Sequence, residues 1–240
     1  MTKPKSVPYV ARLSPPDIPE NSELRSHCYL CGLEKLPLEE EHVFPKILFK
    51  GFDPGHYVKL WACAECNRAK GIDDEYVSRY LQAGSFVQPA KAGWESAMRG
   101  FQRADSSGTG LARDFTERLT TVEYKTPAGL TLGQVGAIKI DLDRIKAFAT
   151  NIAKGLFVRT SLRIRDWSKH EVTVFVEQAI QSTQLFHDPI VSQYRTTARY
   201  GEYWEHIFTY FTDYGDDACV SALLVYSSFF LFVTITEADS

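Results

Sequence analysis

The sequence lacks an excess of charge of either sign. Its 240 residues carry 27 lysines and arginines against 30 aspartates and glutamates, which gives a formal net charge of −3. Proteins that bind nucleic acid through a broad surface are strongly basic, and this balance excludes that class. Binding to nucleic acid would therefore need a local basic patch or a bound metal ion.

The N-terminus lacks the uninterrupted apolar run of a secretory signal. It reads MTKPKSVPYVARLSPPDIPENSE, and its prolines are typical of an extended leader. We therefore expect a cytoplasmic protein. In a reducing compartment, closely spaced cysteines indicate metal binding or catalysis more often than disulfides.

Long hydrophobic runs are also scarce, with one exception. Residues 218–235, ACVSALLVYSSFFLFVTI, carry no charge over a length that could cross a bilayer. The run is interrupted by Ser227 and Ser228, and no nearby lysine or arginine would orient a membrane span. We interpret it as two buried β-strands joined by a tight turn, and we expect no membrane association.

Cysteine is rare, yet four of the five cysteines form two C-x-x-C pairs. Such pairs occur in redox couples, in disulfide frameworks and in metal sites, and the expected compartment favours a metal. Two pairs separated by a long loop can direct four thiolates at one ion, which predicts a closed structural zinc site at Cys28, Cys31, Cys63 and Cys66. The fifth, Cys219, lies in an apolar strand pattern and is interpreted as a buried small hydrophobe.

The loop between the two cysteine pairs contains candidate catalytic groups. It reads LPLEEEHVFPKILF, where His42 follows three glutamates and begins an apolar, strand-like run. Asn67 directly follows the last cysteine and is expected to start a helix that faces the Glu41–His42 pair. An imidazole and two oxygen ligands for a hard divalent ion are the groups needed to activate water beside a phosphate.

The three motifs together resemble the HNH endonucleases of the ββα-metal type. They are C-x-x-C, then EHVFPK, then C-x-x-CNRAKG, and they cover about residues 25–80. The resemblance implies hydrolysis of DNA phosphodiester bonds, with His42 as the general base and with Glu41 and Asn67 as ligands of a catalytic Mg²⁺ or Mn²⁺ ion. The products would carry 5′-phosphate and 3′-hydroxyl ends.

The chain departs from the HNH pattern at two places. Glu41 stands where the family usually has aspartate, and the middle asparagine of the signature is missing near GHYVKLW. His56 or Tyr57 could orient His42 instead. On the following helix we expect Asp73, Asp74 and Glu75 to form a solvated face, with a second metal contact from one of them as the alternative.

Local basic residues supply the candidate DNA-binding surface. Positions 139 to 169 contain eight basic residues and only three acidic ones. Within this range, RTSLRIRDWSK places arginines beside Ser, Thr and Trp, a composition suited to phosphates and exposed bases. The alternative is the ordinary charged exterior of an amphipathic helix. The candidate DNA-contacting residues are Lys46, Arg68, Lys70, Arg159, Arg163 and Arg165.

The predicted fold class is α+β. We expect an extended leader at 1–24, a zinc-clamped ββα module at 25–85, and a mixed α/β domain with an antiparallel sheet at 86–240. A helix after the second cysteine pair should place Ile72, Tyr76 and Tyr80 on one face. The clearest helix begins at an N-cap, Asp141, and its expected apolar stripe is Leu142, Ile145, Phe148, Ala149, Ile152 and Leu156.

Two other functions remain open at this level. The missing asparagine is compatible with an HNH-like module that has lost activity and serves only to bind nucleic acid or protein. Alternatively, the C-terminal domain controls the nuclease by binding a protein partner, a small ligand or a second copy, as in bacterial defence systems built around HNH modules.

Overall fold

A computed structural model describes residues 17–20, 22–50, 57–84, 88–103, 111–126, 128–178, 198, 200–204, 208–215, 218–226 and 229–238. Most of the predicted leader lies outside these residues. So does the stretch DSSGTG at 105–110, whose glycines and serines predict a loop. The helices are α1 (Ala64–Ala83), α2 (Gln88–Arg103), α3 (Leu111–Arg118) and α4 (Leu142–Ser161). The strands are β1 (Leu38–His42), β2 (Lys59–Cys63), β3 (Leu119–Lys125), β4 (Thr131–Ile138), β5 (His170–Gln178), β6 (Tyr200–Trp204), β7 (Phe208–Tyr214), β8 (Ala218–Val225) and β9 (Phe229–Glu237).

The described chain mixes α and β structure, and every strand pairing in it is antiparallel, as predicted. The first unit is a hairpin of β1 and β2 followed directly by α1. Leu38 lies opposite Cys63 and His42 lies opposite Lys59 in this hairpin. Cys63 ends β2 and is also the N-cap of α1, so no loop separates the strand from the helix.

The prediction that His42 begins an apolar strand is wrong. β1 ends at His42, and the chain then bends into a short 3-10 helix, Lys46–Phe49. Pro45 is the N-cap of that helix at a φ of −61°, and a proline has no N–H to continue the pairing with β2. The Glu41–His42 pair therefore lies at the C-terminal end of β1, beside the segment that leads to β2.

The C-terminal part contains a five-stranded antiparallel sheet in the order β5-β9-β8-β7-β6. The uncharged run at 218–235 forms β8 and most of β9, which confirms the prediction of two strands. Ser227 and Ser228 lie outside the described residues. Among the described helices, none is both long enough and apolar enough to cross a membrane.

α4 connects the two parts of the chain. Asp141 caps it as predicted, with its carboxylate accepting hydrogen bonds from the backbone N–H groups of Asp143 and Arg144. The predicted stripe is buried except for Leu142, which is exposed because it lies in the first turn. In α1, Tyr76 and Tyr80 are buried as expected, whereas Ile72 is exposed.

Buried apolar side chains of the N-terminal unit, α4 and the five-stranded sheet form one continuous core. The ring of Phe44, just after β1, lies 4.7 Å from the ring of Phe208 in β7. A polar link crosses the same boundary, because the Tyr226 hydroxyl donates to the Leu48 carbonyl at 3.0 Å. The Cα of Gly155 in α4 lies so near Val43 that a Cβ there would come within 2.6 Å of a Val43 methyl.

Candidate metal centre and catalytic site

The four predicted cysteines meet at one point. The Sγ atoms of Cys28, Cys31, Cys63 and Cys66 all lie within 4.8 Å of one another, and all four cysteines are free thiols. Four thiolates at Zn–S bonds of about 2.3 Å occupy a cluster of this size. The residues present therefore fit a tetrahedral zinc ion. Four cysteine ligands would fill all four positions, so such a site would be structural and would have no open position for a substrate.

Local backbone structure positions each pair of cysteines. In the first pair, the Gly32 N–H donates to the Cys28 carbonyl at 2.8 Å and the Cys28 N–H donates to the Leu33 carbonyl at 3.0 Å. Gly32 has a φ of +78°, which glycine adopts at little cost. In the second pair, the strand-to-helix junction places Cys63 at the N-cap and Cys66 in the first turn of α1.

The electrostatics of the cluster favour a bound cation. Burial raises the pKa values of Cys28 and Cys66, so neither would be a thiolate at neutral pH without a nearby positive charge. A zinc ion supplies that charge when it is bound. Two lysines that the sequence analysis did not identify also lie near the sulfurs, Lys35 and Lys154.

These lysines differ in their surroundings. The nearby Cys63 sulfur raises the pKa of Lys35, which is also ion-paired to Glu65 at 3.4 Å. Burial lowers the pKa of Lys154, and the sulfur of Cys66 opposes that effect. The Lys154 ammonium donates to the Leu30 carbonyl at 3.2 Å. With a divalent ion bound to four thiolates, both lysines would offset the surplus negative charge of the site.

His42 is half-buried at the end of β1. Burial lowers its pKa below the ordinary histidine value, and the charge of Lys46 adds to that effect. The imidazole therefore stays neutral at pH 7 and can accept a proton. Its ring lies edge-to-face against Tyr57 with centroids 5.1 Å apart. Tyr57 thus supports the orientation of His42 by packing, while His56 lies outside the described residues.

Glu41 and Asn67 do not bond to each other in the described structure. The Asn67 side-chain amide donates to Glu39 at 3.0 Å, and the Lys70 ammonium donates to Glu41 at 3.0 Å. β1 thus presents two carboxylates, Glu39 and Glu41, to the same face of α1. The alternation of strand side chains explains the participation of Glu39, because residues two apart share a face.

Lys70 is a buried residue and not a surface one. Its ammonium is 0% exposed and donates to Glu41, to the His42 carbonyl at 3.0 Å and to Asp74. The prediction of Lys70 as a DNA contact is therefore not compatible with the structure, because a phosphate cannot reach it. The helical spacing of Asn67, Lys70 and Asp74 places all three on the side of α1 that faces β1.

Asp74 was expected on a solvated face but is buried. Burial raises its pKa to about 6. Its Oδ1 atom and the Tyr29 hydroxyl are buried and have no hydrogen-bond partner within the described chain. Asp73 is instead ion-paired to Arg144 at 2.8 Å, and Glu75 is exposed. The three acids therefore occupy three different environments.

The remaining candidate DNA contacts lie in two places. Lys46 and Arg68 are exposed near the end of β1 and in the first turns of α1. Arg159, Arg163 and Arg165 lie in the last turn of α4 and the loop after it, and the Arg165 guanidinium is 5.5 Å from the Phe157 ring centre. Part of the basic surplus between 139 and 169 has internal partners, since Arg144 binds Asp73 and Lys154 binds Leu30.

Comparison with protein-family models, with curated proteins and with solved structures finds no match to this chain. What is established is a mixed α and β chain whose four clustered cysteines can bind a metal ion such as zinc.

Proposed function

We propose that this protein is a metal-dependent endonuclease of the HNH type that hydrolyses DNA phosphodiester bonds. The observation that carries the proposal is the position of Glu41 and His42. Both lie at the loop end of a β-hairpin that is followed directly by a helix and is held by four clustered cysteines. This order of hairpin, helix and thiolate clamp is the arrangement that the HNH resemblance implies.

The charges between β1 and α1 support a divalent cation. Glu41 and Asp74 share one ammonium, Lys70, and Glu39 accepts from the neutral Asn67 amide. The three carboxylates and the one ammonium together leave a surplus of two negative charges. Carboxylate and amide oxygens are the ligands that Mg²⁺ and Mn²⁺ prefer. Glu41 and Asn67 would hold this ion, and when bound it would supply charge stabilisation at the phosphate.

The proposed chemistry of the chain itself begins at His42. A neutral imidazole with a lowered pKa accepts a proton from the attacking water at its ring nitrogen. Within the described chain the ring nitrogens make no hydrogen bond, so either can face a substrate. Lys46 and Arg68, both exposed, are suited to bind the phosphates on either side of the cleaved bond.

The second candidate is an inactive binding module with the same fold. It is favoured by the engagement of Asn67 with Glu39 and of Glu41 with Lys70, together with the missing middle asparagine. In that case the chain would bind nucleic acid or protein without hydrolysis. The two candidates differ in whether the protein cleaves DNA and so produces new 5′-phosphate and 3′-hydroxyl ends.

The experiment is cleavage of single- and double-stranded DNA and RNA by the purified chain with Mg²⁺ or Mn²⁺. His42→Ala is compared with His170→Ala, a histidine on β5 outside the proposed site. We expect DNA cleavage by wild type and His170→Ala and about a 10²-fold loss in His42→Ala. Binding of DNA with no cleavage by wild type under any of these conditions would select the inactive module.

A further inference from the structure

The β3–β4 hairpin is exposed on both faces. All seven residues of β3 and the first six of β4 are exposed, and the hairpin forms its own two-stranded sheet. Apolar side chains that are 40% to 65% exposed lie on or beside it: Leu119, Val122, Tyr124, Leu130, Leu132 and Val135. A lone two-stranded hairpin is marginally stable in water, so we expect another surface to pack against this one.

The charges of the hairpin argue against nucleic acid as the covering partner. The only charged residues on its strands are Glu123 and Lys125, and they form an ion pair with each other at 2.9 Å. The two strands therefore carry no net charge. Phosphate backbones are bound by unneutralised lysine and arginine, so a neutral apolar ribbon matches an apolar protein surface better.

Within the described chain, both β3 and β4 keep one edge without a strand partner. β4 contains Gly133 and Gly136, which weaken a strand and offer no side chains to pack. β3, with the sequence LTTVEYK, is continuous and contains β-branched and aromatic residues that favour pairing. The free edge of β3 is thus the better pairing surface of the two.

We propose that β3 pairs antiparallel with the β3 strand of a second copy of this chain. The register that uses the whole strand is centred on Val122, which would lie opposite its own copy on a two-fold axis. Thr120 would then lie opposite Tyr124, and Thr121 opposite Glu123. This register sets no like charges opposite each other, whereas a register centred on Glu123 would oppose two carboxylates.

The same register also joins the apolar faces. Side chains two apart share a face, so Thr120, Val122 and Tyr124 form one row, and Val135 on β4 lies beside Val122. Pairing of two copies doubles this row into one four-stranded sheet with a continuous apolar face. A two-stranded hairpin would in this way reach the strand number that stabilises a sheet in water. This inference does not depend on the proposed nuclease activity.

The test uses the oligomeric state of the full chain, measured by sedimentation over a range of concentrations. We expect wild type to form a dimer, and Val122→Glu or Val122→Lys alone to be monomeric, because each would place like charges opposite each other. An equimolar mixture of the two variants should restore the dimer, since residue 122 faces itself. Zinc content and the melting temperature check that each variant is folded.

Two results would overturn the inference. In the first, wild type is monomeric at every concentration; if Val122→Glu then also weakens binding of duplex DNA, the hairpin is a nucleic-acid contact. In the second, the mixture stays monomeric although wild type dimerises. Cleavage activity is not a readout, so failure here leaves the nuclease proposal intact, and failure of that proposal leaves this one intact.

Discussion

At the scale of single residues, the four clustered cysteines are the candidate ligands of a structural metal ion. Two C-x-x-C pairs predicted a four-thiolate cluster, and the four Sγ atoms lie within 4.8 Å of one another. The prediction succeeds because each short turn fixes the geometry of its own pair. Only the meeting of the two pairs then depends on the fold.

Loss of one thiolate should release the metal and unfold the chain. Structural zinc contributes on the order of 10 kcal/mol of binding free energy, which is comparable with the whole stability of a domain. We therefore expect Cys63→Ser to purify without zinc and to lack a cooperative thermal transition. Elemental analysis and thermal unfolding measure both effects.

The control for this prediction is Cys219→Ser. Cys219 is equally buried but lies in β8, away from the cluster. This variant should keep one zinc ion per chain and a cooperative transition. Wild-type zinc content in Cys63→Ser, or equal zinc loss in both variants, would contradict the assignment of the ligands.

The fate of the charged residues was less predictable from sequence. Glu39 and Lys70 belong to the centre between β1 and α1, yet the first read as part of an acidic run and the second as a surface cation. Periodicity contains the signal, because Asn67, Lys70 and Asp74 are spaced as one helical face. Periodicity does not show which part of the protein that face contacts, because this is set when α1 packs on β1.

At the scale of elements, the close approach of α4 to the segment after β1 holds the hairpin in place. A Cβ at Gly155 would come within 2.6 Å and 2.8 Å of the two Val43 methyl groups, and valine has little rotamer freedom to yield. Gly155→Ala should therefore destabilise the chain by about 1–3 kcal/mol, the usual cost of overpacking. Chemical denaturation measures the change.

Gly71→Ala is the matched control for Gly155→Ala. Gly71 also lies inside a helix, α1, but a Cβ there would meet nothing within 4 Å. Replacing an unhindered helical glycine by alanine stabilises by about 0.5–1 kcal/mol. Opposite signs for the two variants are expected. A stabilising Gly155→Ala would mean that α4 does not pack this closely on Val43.

The elements themselves were predicted with uneven success, and the reasons are physical. The stretches TVEYKT, QVGAIKI and HEVTVFVEQ have the residue pattern of strands and correspond to β3, β4 and β5. The uncharged run predicts β8 and β9, and apolar periodicity with the Asp141 cap predicts α4. The end of β1 was misplaced because the apolar residues after His42 continue a strand pattern while Pro45 stops it. Because of that error His42 was expected at the start of a strand, whereas it lies at the end of one.

At the scale of the whole molecule, the N-terminal unit and the five-stranded sheet share one core. Tyr226, which follows β8 of the sheet, makes polar contacts with the N-terminal unit. Its hydroxyl donates to the Leu48 carbonyl at 3.0 Å and accepts from the Gln82 amide at 3.1 Å. Tyr226→Phe leaves both groups buried without this partner, which should cost about 1–3 kcal/mol. The loss should appear as one shifted cooperative transition, since both parts contribute to the same core.

Tyr124→Phe serves as the control, because Tyr124 is exposed on β3 and its hydroxyl is not needed for the core. Its effect should stay within about 0.5 kcal/mol. Two separate unfolding transitions in wild type, with only one shifted by Tyr226→Phe, would contradict a shared core. Calorimetry monitored together with zinc release distinguishes these outcomes.

The central claim is that His42 acts as the general base of a phosphodiesterase. The most direct test is the single-turnover rate of DNA cleavage as a function of pH at saturating Mn²⁺. Because burial and Lys46 lower the pKa of His42, the imidazole stays neutral until the pH falls below the ordinary histidine value. The account predicts that wild type and His170→Ala lose rate only below that pH, while His42→Ala is about 10²-fold slower and lacks this acidic limb. A His42→Ala variant with the wild-type rate and the same acidic limb would contradict it.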